Sequence, residues 1–362
     1  MAFIEFDVDK LEHNYRFLDG LFNRHHISWG TVSKLLCGHK PFLQELLSLG
    51  MNQVLDSRVS NLKAVKQIDP EIETIYIKPP AKRAIKSVVK FADISLNSEL
   101  ATIQLLSEEA QRQGKVHKVV IMIELGDLRE GIMGENLMDF YEQVFQLKNV
   151  DVIGLGTNLS CLNGILPNAD KLVQLSLYKQ LIEAKFAKSI PLVSGGTSVT
   201  VPLLKMNQIP SGVNHFRVGE TLFRGNDLLE EKNYRGMKQD VFKLYAEIIE
   251  LVEKPVVPTG MAGLNVEGEN TEFDQADFGK TTYRAILDIG LLDIDTKHMT
   301  PTDSRIKLGG ASSDMIVADL GARKPRHKVG DLITFSLSYM GILGIMNSKY
   351  IDKRIKKATI DS

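Results

Sequence analysis

The chain has 362 residues, 43% of them hydrophobic, so it can bury the core of two ordinary domains. Its 44 Lys and Arg residues balance 45 Asp and Glu residues, and the net charge of −1 offers no field for nucleic acid. Two cysteines, no signal-peptide pattern at the start and no long apolar stretch predict a cytoplasmic protein with no membrane association.

Short β-branched runs alternate with helix-period segments over the first two thirds of the chain, which is typical of repeated strand–helix units. The runs predicted as strands are Ile27–Ser33, Gln53–Asp56, Glu73–Ile77, Asp93–Leu96, Lys118–Leu125, Val152–Thr157, Pro191–Ser194 and His215–Val218. Helical periodicity is clearest at Lys40–Leu49, Ser98–Arg112 and Leu172–Ala187. Eight such parallel strands predict an α/β fold, the (β/α)8 TIM barrel.

The pattern changes at a junction near Asn233–Gln239. The later alternating runs, separated by turns rich in Gly, Pro and Asp, are Phe242–Leu251, Thr282–Ile289, Ser313–Leu320 and Leu332–Ser338. We therefore predict a barrel domain over residues 7–235 and a C-terminal all-β domain over residues 236–362, joined by residues 1–6. The β domain lacks metal-ligand spacings such as His-x-Cys, so no metal site is predicted.

Polar residues follow most of the predicted barrel strands, at the end where such barrels place their reacting groups. They are Ser33-Lys34, Asp56-Ser57-Arg58, Asn97, Gly126-Asp127-Leu128-Arg129, Thr157-Asn158, Ser194-Gly195-Gly196-Thr197-Ser198 and Arg217-Val218-Gly219-Glu220. Each alone is weak, because polar residues at strand ends are usually plain surface. Their coincidence around one barrel mouth predicts an active site.

Two of these segments point to a phosphorylated aldehyde cofactor. In Ser194–Ser198, small residues let backbone N–H groups approach an anion, and barrels favour phosphate after the seventh strand; a flexible Ser/Gly turn is the alternative. Lys34 offers an amine that can form a Schiff base with an aldehyde when it is held in a desolvated pocket. Phosphate and lysine together predict pyridoxal 5'-phosphate.

Arg217, on the eighth strand, discriminates between reaction types. Its guanidinium can donate a hydrogen bond to the pyridine nitrogen but cannot deliver a proton, so the electron sink is weakened. Such tuning favours racemisation over decarboxylation or transamination. A structural ion pair between Arg217 and Glu220 is the alternative.

Seven stretches carry a resemblance to a known family. They are V-S-K-L-L-C-G at 32–38, L-D-S-R-V-S-N-L at 55–62, I-E-L-G-D-L-R-E-G at 123–131, G-L-G-T-N-L-S-C at 154–161, S-G-G-T-S at 194–198, V-N-H-F-R-V-G-E at 213–220 and G-A-S-S-D at 310–314. Over nearly its whole length the chain resembles the alanine racemase superfamily, the fold-type III pyridoxal-phosphate enzymes, and within it the ornithine racemase group.

The resemblance implies a racemase of a free amino acid, ornithine or a related one, that forms a head-to-tail homodimer. It implies Lys34 as the cofactor lysine, Arg217 as the partner of the pyridine nitrogen, and Tyr339 reaching the phosphate from the β domain; an ordinary half-buried strand tyrosine is the alternative. The full set of expected cofactor ligands is Lys34, Asn158, Ser194, Thr197, Ser198, Arg217, Gly219 and Tyr339. Asn158 falls where alanine racemases have a histidine on the cofactor ring.

The sequence indicates several alternative residues for binding the substrate. Arg58 or Arg129 is expected to bind the α-carboxylate, and an acid among Asp127, Glu130, Glu220 and Asp314 to bind a cationic side chain. Solvated surface charge is the simpler interpretation of each.

Racemisation by two bases needs a second proton acceptor opposite Lys34. Alanine racemases use a tyrosine, but the corresponding stretch here, Pro258–Gly279, contains none. We expect Cys161 in this role, because thiols near positive charge form thiolates readily, ahead of Asp314 and then Tyr283. A small buried hydrophobic cysteine is the alternative.

Two other functions stay open. One is a fold-type III decarboxylase or D-threonine-aldolase-like lyase. The other is a non-catalytic pyridoxal-phosphate-binding protein related to the barrel alone, against which the sizeable β domain argues.

Overall fold

The computed structural model describes residues 1–261, 263–264, 268 and 273–358. It contains two compact units, one formed by Asp9–Gln239 and the other by Met1–Val8 with the chain from Asp240 onward. The division falls a few residues after the junction expected at residue 235. Each unit is described separately.

Strand β1 (Phe3–Asp7) belongs to the second unit, and the first unit is a closed barrel of parallel strands. The barrel strands are β2 (Ser28–Val32), β3 (Gln53–Asp56), β4 (Glu73–Tyr76), β5 (Ile94–Asn97), β6 (His117–Met122), β7 (Val150–Gly156), β8 (Leu192–Thr197) and β9 (His215–Val218). Strand β2 closes the barrel by pairing with both β3 and β9.

Helices alternate with the barrel strands. They are α1 (Val8–Arg24), α2 (Lys40–Leu47), α3 (Val59–Ile68), α4 (Ile85–Phe91), α5 (Leu100–Arg112), α6 (Leu137–Val144), α7 (Ala169–Phe186), α8 (Val201–Lys205) and α9 (Glu220–Arg224). A small ribbon of β10 (Asn226–Asp227) and β11 (Lys232–Asn233) follows. In the described part of the chain, no helix is long and apolar enough to cross a membrane.

The barrel strands are rich in aliphatic residues because both of their faces are buried. Parallel strands covered by helices are buried on both faces, and the interior is filled by side chains. One buried apolar cluster there consists of Val32, Leu55, Ile75, Ile94, Leu96, Val120 and Met122. With the centre closed by apolar packing, the polar residues that follow the strands gather at one end.

The second unit is a mostly antiparallel sheet. Its further elements are β12 (Phe242–Pro255), β13 (Thr281–Leu287), β14 (Met299–Pro301), β15 (Lys307–Ala311), β16 (Ile316–Asp319), β17 (Leu332–Leu337), α10 (Tyr339–Asn347) and β18 (Asp352–Lys356). The strand order is β14-β17-β12-β13-β16-β15, and β1 pairs with β12 and β18.

The predicted barrel with a C-terminal β domain is confirmed. Helix α10 was not predicted, because its apolar run with two glycines lacks polar periodicity. Its start is capped by Ser338, whose hydroxyl accepts from the N–H of Gly341 at 3.2 Å. Strand β15 was also missed, since three of its five residues are Gly or Ala.

Candidate active site

Lys34 opens a short 3-10 turn at the end of the first barrel strand. Ser33 anchors this turn by two hydrogen bonds. Its N–H donates to the carbonyl of Leu55 at 2.8 Å, and its hydroxyl donates to the carboxylate of Asp56 at 2.9 Å. The Lys34 side chain is exposed. A Schiff-base role requires this amine to be desolvated, and the described part of the chain leaves it exposed, so the role of Lys34 stays a prediction.

Asp56 organises the neighbourhood of that turn from a fully buried position. Its carboxylate accepts from the backbone N–H of Arg58 at 2.8 Å and from the amide of Asn61 at 3.1 and 3.2 Å. Burial raises the pKa of Asp56, and these hydrogen bonds oppose the rise. Arg58 itself is exposed at the start of α3, and its role toward substrate stays a prediction.

Arg217 lies inside the barrel and is only 5% exposed. Its Nη1 donates to the carbonyl and hydroxyl oxygens of Ser194 at 3.0 and 2.5 Å, and its Nη2 to the carbonyl of Thr157 at 2.6 Å. Burial lowers the pKa of Arg217 to about 10, so it remains a cation at neutral pH. Among the described residues it forms no ion pair; Glu220 pairs with Arg224 at 2.7 Å instead.

The Ser-Gly-Gly segment is not the flexible turn of the alternative interpretation. Gly195 and Gly196 lie in strand β8. A Cβ on Gly196 would lie 2.1 Å from the ring of Phe216, and one on Gly195 would lie 2.9 Å from Val213. Close packing therefore requires both glycines, whatever the segment binds.

A small cradle is formed by the Ser198 hydroxyl, which follows β8, and by two backbone N–H groups that follow β9. Thr197 caps the 3-10 turn that begins at Ser198. The hydroxyl oxygen of Ser198 accepts from the N–H groups of Gly219 and Thr221, both at 3.2 Å. Both N–H groups are satisfied by this hydroxyl, and a phosphate oxygen would bind them in its place.

Two buried polar atoms near Arg217 have no hydrogen-bond partner, the Oγ1 of Thr157 and the Nδ2 of Asn158. Leaving a buried donor unpaired costs about 1–3 kcal/mol, so such atoms are usually satisfied by a ligand or water. Together with the cradle, this donor set fits a group with an anionic end and a ring nitrogen. Pyridoxal phosphate has both.

The loop that carries Cys161 is shaped by Asp127. The buried carboxylate of Asp127 accepts from the N–H groups of Cys161 at 3.1 Å, Leu162 at 2.9 Å, Asn163 at 3.2 Å and Ile165 at 3.3 Å. Burial alone would raise the pKa of Asp127, but the four hydrogen bonds outweigh it and hold the pKa below its usual value. Asp127 is thus committed to the backbone and is not available for a substrate cation. The Cys161 side chain is exposed.

We expect Asp127→Asn to reduce the free energy of unfolding by about 1–3 kcal/mol, because an amide cannot accept all four N–H bonds. The wild-type carboxylate has a folded pKa below the unfolded value of 3.8, so its contribution is fully present above that pH. It is lost as pH falls through the folded value. Urea unfolding at neutral and acidic pH measures the difference in free energy of unfolding between the wild type and the variant. The exposed Asp151→Asn is the matched control, and an equal loss in both variants would contradict the assignment.

Arg129 is held by its neighbour in sequence. Its Nε and Nη2 donate to the two carboxylate oxygens of Glu130, the second at 2.6 Å. The hydrogen bonds to Glu130 are the main cause of a raised pKa of Arg129. The Arg129 guanidinium, which was expected to bind the α-carboxylate of the substrate, is therefore already bound to the carboxylate of Glu130. Glu130 likewise is not a free acid for a substrate cation.

Two expected residues belong to the second unit, and their roles stay predictions. Tyr339 is half-buried and is the first residue of α10, so it is not the strand residue of the alternative interpretation. Asp314 is exposed between β15 and β16 and accepts from the hydroxyl of Ser313 at 2.8 Å. Part of the tyrosine-free stretch Pro258–Gly279 lies outside the described residues. Over the described ranges, no three His, Cys, Asp or Glu side chains are grouped as metal ligands.

Sequence reasoning missed the polar side chains next to Arg217 inside the barrel. His215 Nδ1 lies 2.7 Å from the hydroxyl of Ser194, and His215 Nε2 lies 2.9 Å from Gln53 Oε1. Ser194 was expected to bind phosphate, but its hydroxyl is engaged with His215 and Arg217. The sequence feature that could have predicted these contacts is the presence of two polar residues at alternate positions of one buried strand, His215 and Arg217.

The fold and the site define a barrel protein with a lysine after the first strand, a buried arginine on the eighth and an anion cradle beside it. Residues 6–227 match the family described as alanine racemase, N-terminal domain. The chain belongs to this family, and the sequence-based assignment is confirmed.

Relatives that match this chain over nearly their whole length are racemases of amino acids. The chain is 35% identical over 353 residues to ornithine racemase of Acetoanaerobium sticklandii, covering 97% of this chain and 99% of that one. It is 30% identical over 347 residues to lysine racemase of Thermotoga maritima, covering 96% of each. Alanine racemase from Bartonella henselae, solved with covalently bound pyridoxal phosphate, matches the fold with a TM-score of 0.73 at 15% identity, covering 98% of this chain and 99% of that one. The predicted amino-acid racemase is thereby confirmed at the level of the family.

Proposed function

We propose that this protein is a pyridoxal-phosphate-dependent racemase of a free basic amino acid, with ornithine and lysine as the first candidates. The observation that carries the proposal is Arg217, a buried guanidinium without an acidic partner among the described residues. Three of its five N–H donors are used by Ser194 and Thr157, and the other two suit a ring nitrogen. The two relatives named for basic substrates support the substrate class.

Five residues would hold the cofactor. Lys34 would bind the aldehyde carbon, Ser198 and the N–H of Gly219 would bind the phosphate with Thr197 beside them, and Asn158 would contact the ring. When bound, pyridoxal phosphate withdraws electrons from the α-carbon of the amino acid and makes the α-hydrogen acidic. Arg217 would donate to the ring nitrogen without protonating it, which would keep the negative charge at the α-carbon brief. Quick return of the proton favours racemisation over transamination.

Two groups move the proton. The Nζ of Lys34 takes it from, or returns it to, one face of the α-carbon, and a second group does the opposite on the other face. Cys161 is our choice for the second group, because its thiol is exposed and its backbone N–H is bound to Asp127, two residues from Arg129 in sequence. Asp314 of a second subunit is the alternative.

Cys161→Ala is expected to lose α-hydrogen exchange from one enantiomer, by about 100-fold or more, and to retain it from the other. Each enantiomer is incubated separately in deuterated water and analysed by mass spectrometry. Cys37→Ala, which removes the chain's other cysteine, is the matched control and is expected to exchange both enantiomers normally. Equal retention of both in Cys161→Ala would move the role to Asp314.

Chiral chromatography of an amino-acid mixture incubated with the purified protein tests the function itself. A racemase converts one enantiomer of ornithine or lysine into the other at constant total amount. A decarboxylase or lyase would consume the amino acid, and a non-catalytic carrier would change neither quantity. We also propose a head-to-tail homodimer located in the cytoplasm, which the family resemblance supports.

A further inference from the structure

A row of polar side chains, half-buried at Glu73 and Gln53 and buried at His215 and Ser194, leads to Arg217. His215 and Ser194 are each 1% exposed. His215 Nδ1 lies 2.7 Å from the Ser194 hydroxyl, and its Nε2 lies 2.9 Å from Gln53 Oε1. The amide nitrogen of Gln53 donates in turn to the carboxylate of Glu73. These contacts link strands β4, β3, β9 and β8.

The chemistry of these groups allows one order of donors and acceptors. Arg217 can only donate, so the Ser194 oxygen accepts from it at 2.5 Å and must give its own hydrogen to His215 Nδ1. The single hydrogen of a neutral His215 is then on Nε2 and goes to Gln53 Oε1. Because the Gln53 amide nitrogen faces Glu73, the orientation of that amide is determined as well.

This order requires a neutral imidazole. In a protonated His215 both ring nitrogens would donate. The Ser194 hydroxyl would then face two donors, with no other hydrogen-bond acceptor for its own hydrogen among the residues that the structure describes. Burial, reinforced by the charge of Arg217, lowers the pKa of His215 to about 3. The other charged group at this row is Glu73, which Lys118 approaches at 3.9 Å.

Gly30 provides the space for the contact between His215 and Gln53. It lies on β2, the strand between β3 and β9, and pairs with Arg217. A Cβ on Gly30 would lie 2.2 Å from Leu55 and 3.0 Å from Gln53 Oε1. A larger residue at this position would displace the acceptor of His215.

We propose that His215, oriented by Gln53, is a positioning residue for Arg217. By accepting the Ser194 hydrogen, His215 turns the serine oxygen toward the Arg217 guanidinium. The serine oxygen then holds the guanidinium in the orientation in which Arg217 would donate to the cofactor ring. Linked hydrogen bonds polarise one another, so the serine also becomes a better acceptor. The role toward the cofactor rests on the proposed function, whereas the proton order does not.

Nitrogen-15 NMR of the imidazoles tests the proton order without any activity measurement. The protein is labelled at histidine, studied as purified, and the His215 signals are identified by their loss in His215→Asn. From about pH 5 to about pH 9 we expect a neutral ring protonated at Nε2. A charged ring, or a hydrogen on Nδ1, would overturn the proposal.

A pair of variants of nearly equal size tests the positioning role. His215→Asn keeps an acceptor close to the place of Nδ1, whereas His215→Leu removes it. We expect the leucine variant to raise the ratio of side transamination to racemisation about tenfold or more, because Ser194 no longer holds Arg217. The asparagine variant should stay near wild type.

Equal behaviour of the two variants would mean that only volume matters at position 215, and the proposal would fail. If the leucine variant does not fold, the asparagine variant decides: a ratio changed as much as in Ser194→Ala would overturn the role. If the wild-type protein racemises no amino acid, the proposed function fails, while the NMR result still decides the proton order.

Discussion

Lys34→Ala is expected to lower racemisation of ornithine or lysine by at least about 1000-fold, because one side chain supplies both the covalent attachment and a proton-transfer group. The stability should change by no more than about 0.5 kcal/mol, since the Lys34 side chain is exposed and the turn is held by Ser33 and Asp56. Borohydride reduction followed by peptide mapping should label Lys34 in the wild type.

Lys40→Ala is the matched control for that experiment. Lys40 is also exposed, and it lies a few residues further on, at the start of α2. This variant is expected to keep the label at Lys34, the cofactor absorbance and the activity. A label on another lysine, with cofactor absorbance retained in Lys34→Ala, would refute the assignment.

Arg217→Glu is expected to slow racemisation by about 100-fold or more and to increase side transamination. A glutamate shares its proton with the ring nitrogen, strengthens electron withdrawal and prolongs the negative charge at the α-carbon. The carbonyl groups of Ser194 and Thr157 lose their donor at the same time. A long-wavelength absorbance band during turnover, with keto-acid formation, measures the effect.

Arg224→Ala controls for the loss of a nearby arginine. Arg224 pairs with Glu220 in helix α9, outside the network of Arg217, so its removal is expected to leave the reaction specificity unchanged. If Arg217→Glu racemises at the wild-type rate without the absorbance band, Arg217 is merely structural.

Strand ends are where sequence reasoning worked best. The alternation of apolar runs and helix-period segments is a local property, and it indicated the barrel strands to within a few residues at most positions. Once the strands are known, the barrel itself brings together the residues that follow them. Lys34, Ser198 and Gly219 could therefore be proposed as one site without knowledge of any contact.

Hydrogen-bond partners could not be predicted in the same way. Asp127, an apparent substrate ligand, serves four backbone N–H groups of a loop more than thirty residues away in sequence. Ser194 looked like part of a phosphate loop, yet its hydroxyl lies between His215 and Arg217. In both cases the sequence contains the polar residue but not the distant group that satisfies it.

Periodicity and short motifs are encoded by neighbouring positions, so the fold class, the family and the residues that follow the barrel strands were predictable from the amino-acid sequence. Which of those residues remain available for ligands depends on contacts between distant parts of the chain. Arg129 is occupied by Glu130, and the proton order of His215 is imposed by Arg217 and Gln53 from different sides. A buried polar group must be satisfied by the group that the fold places beside it, and strand register and loop path determine which group that is.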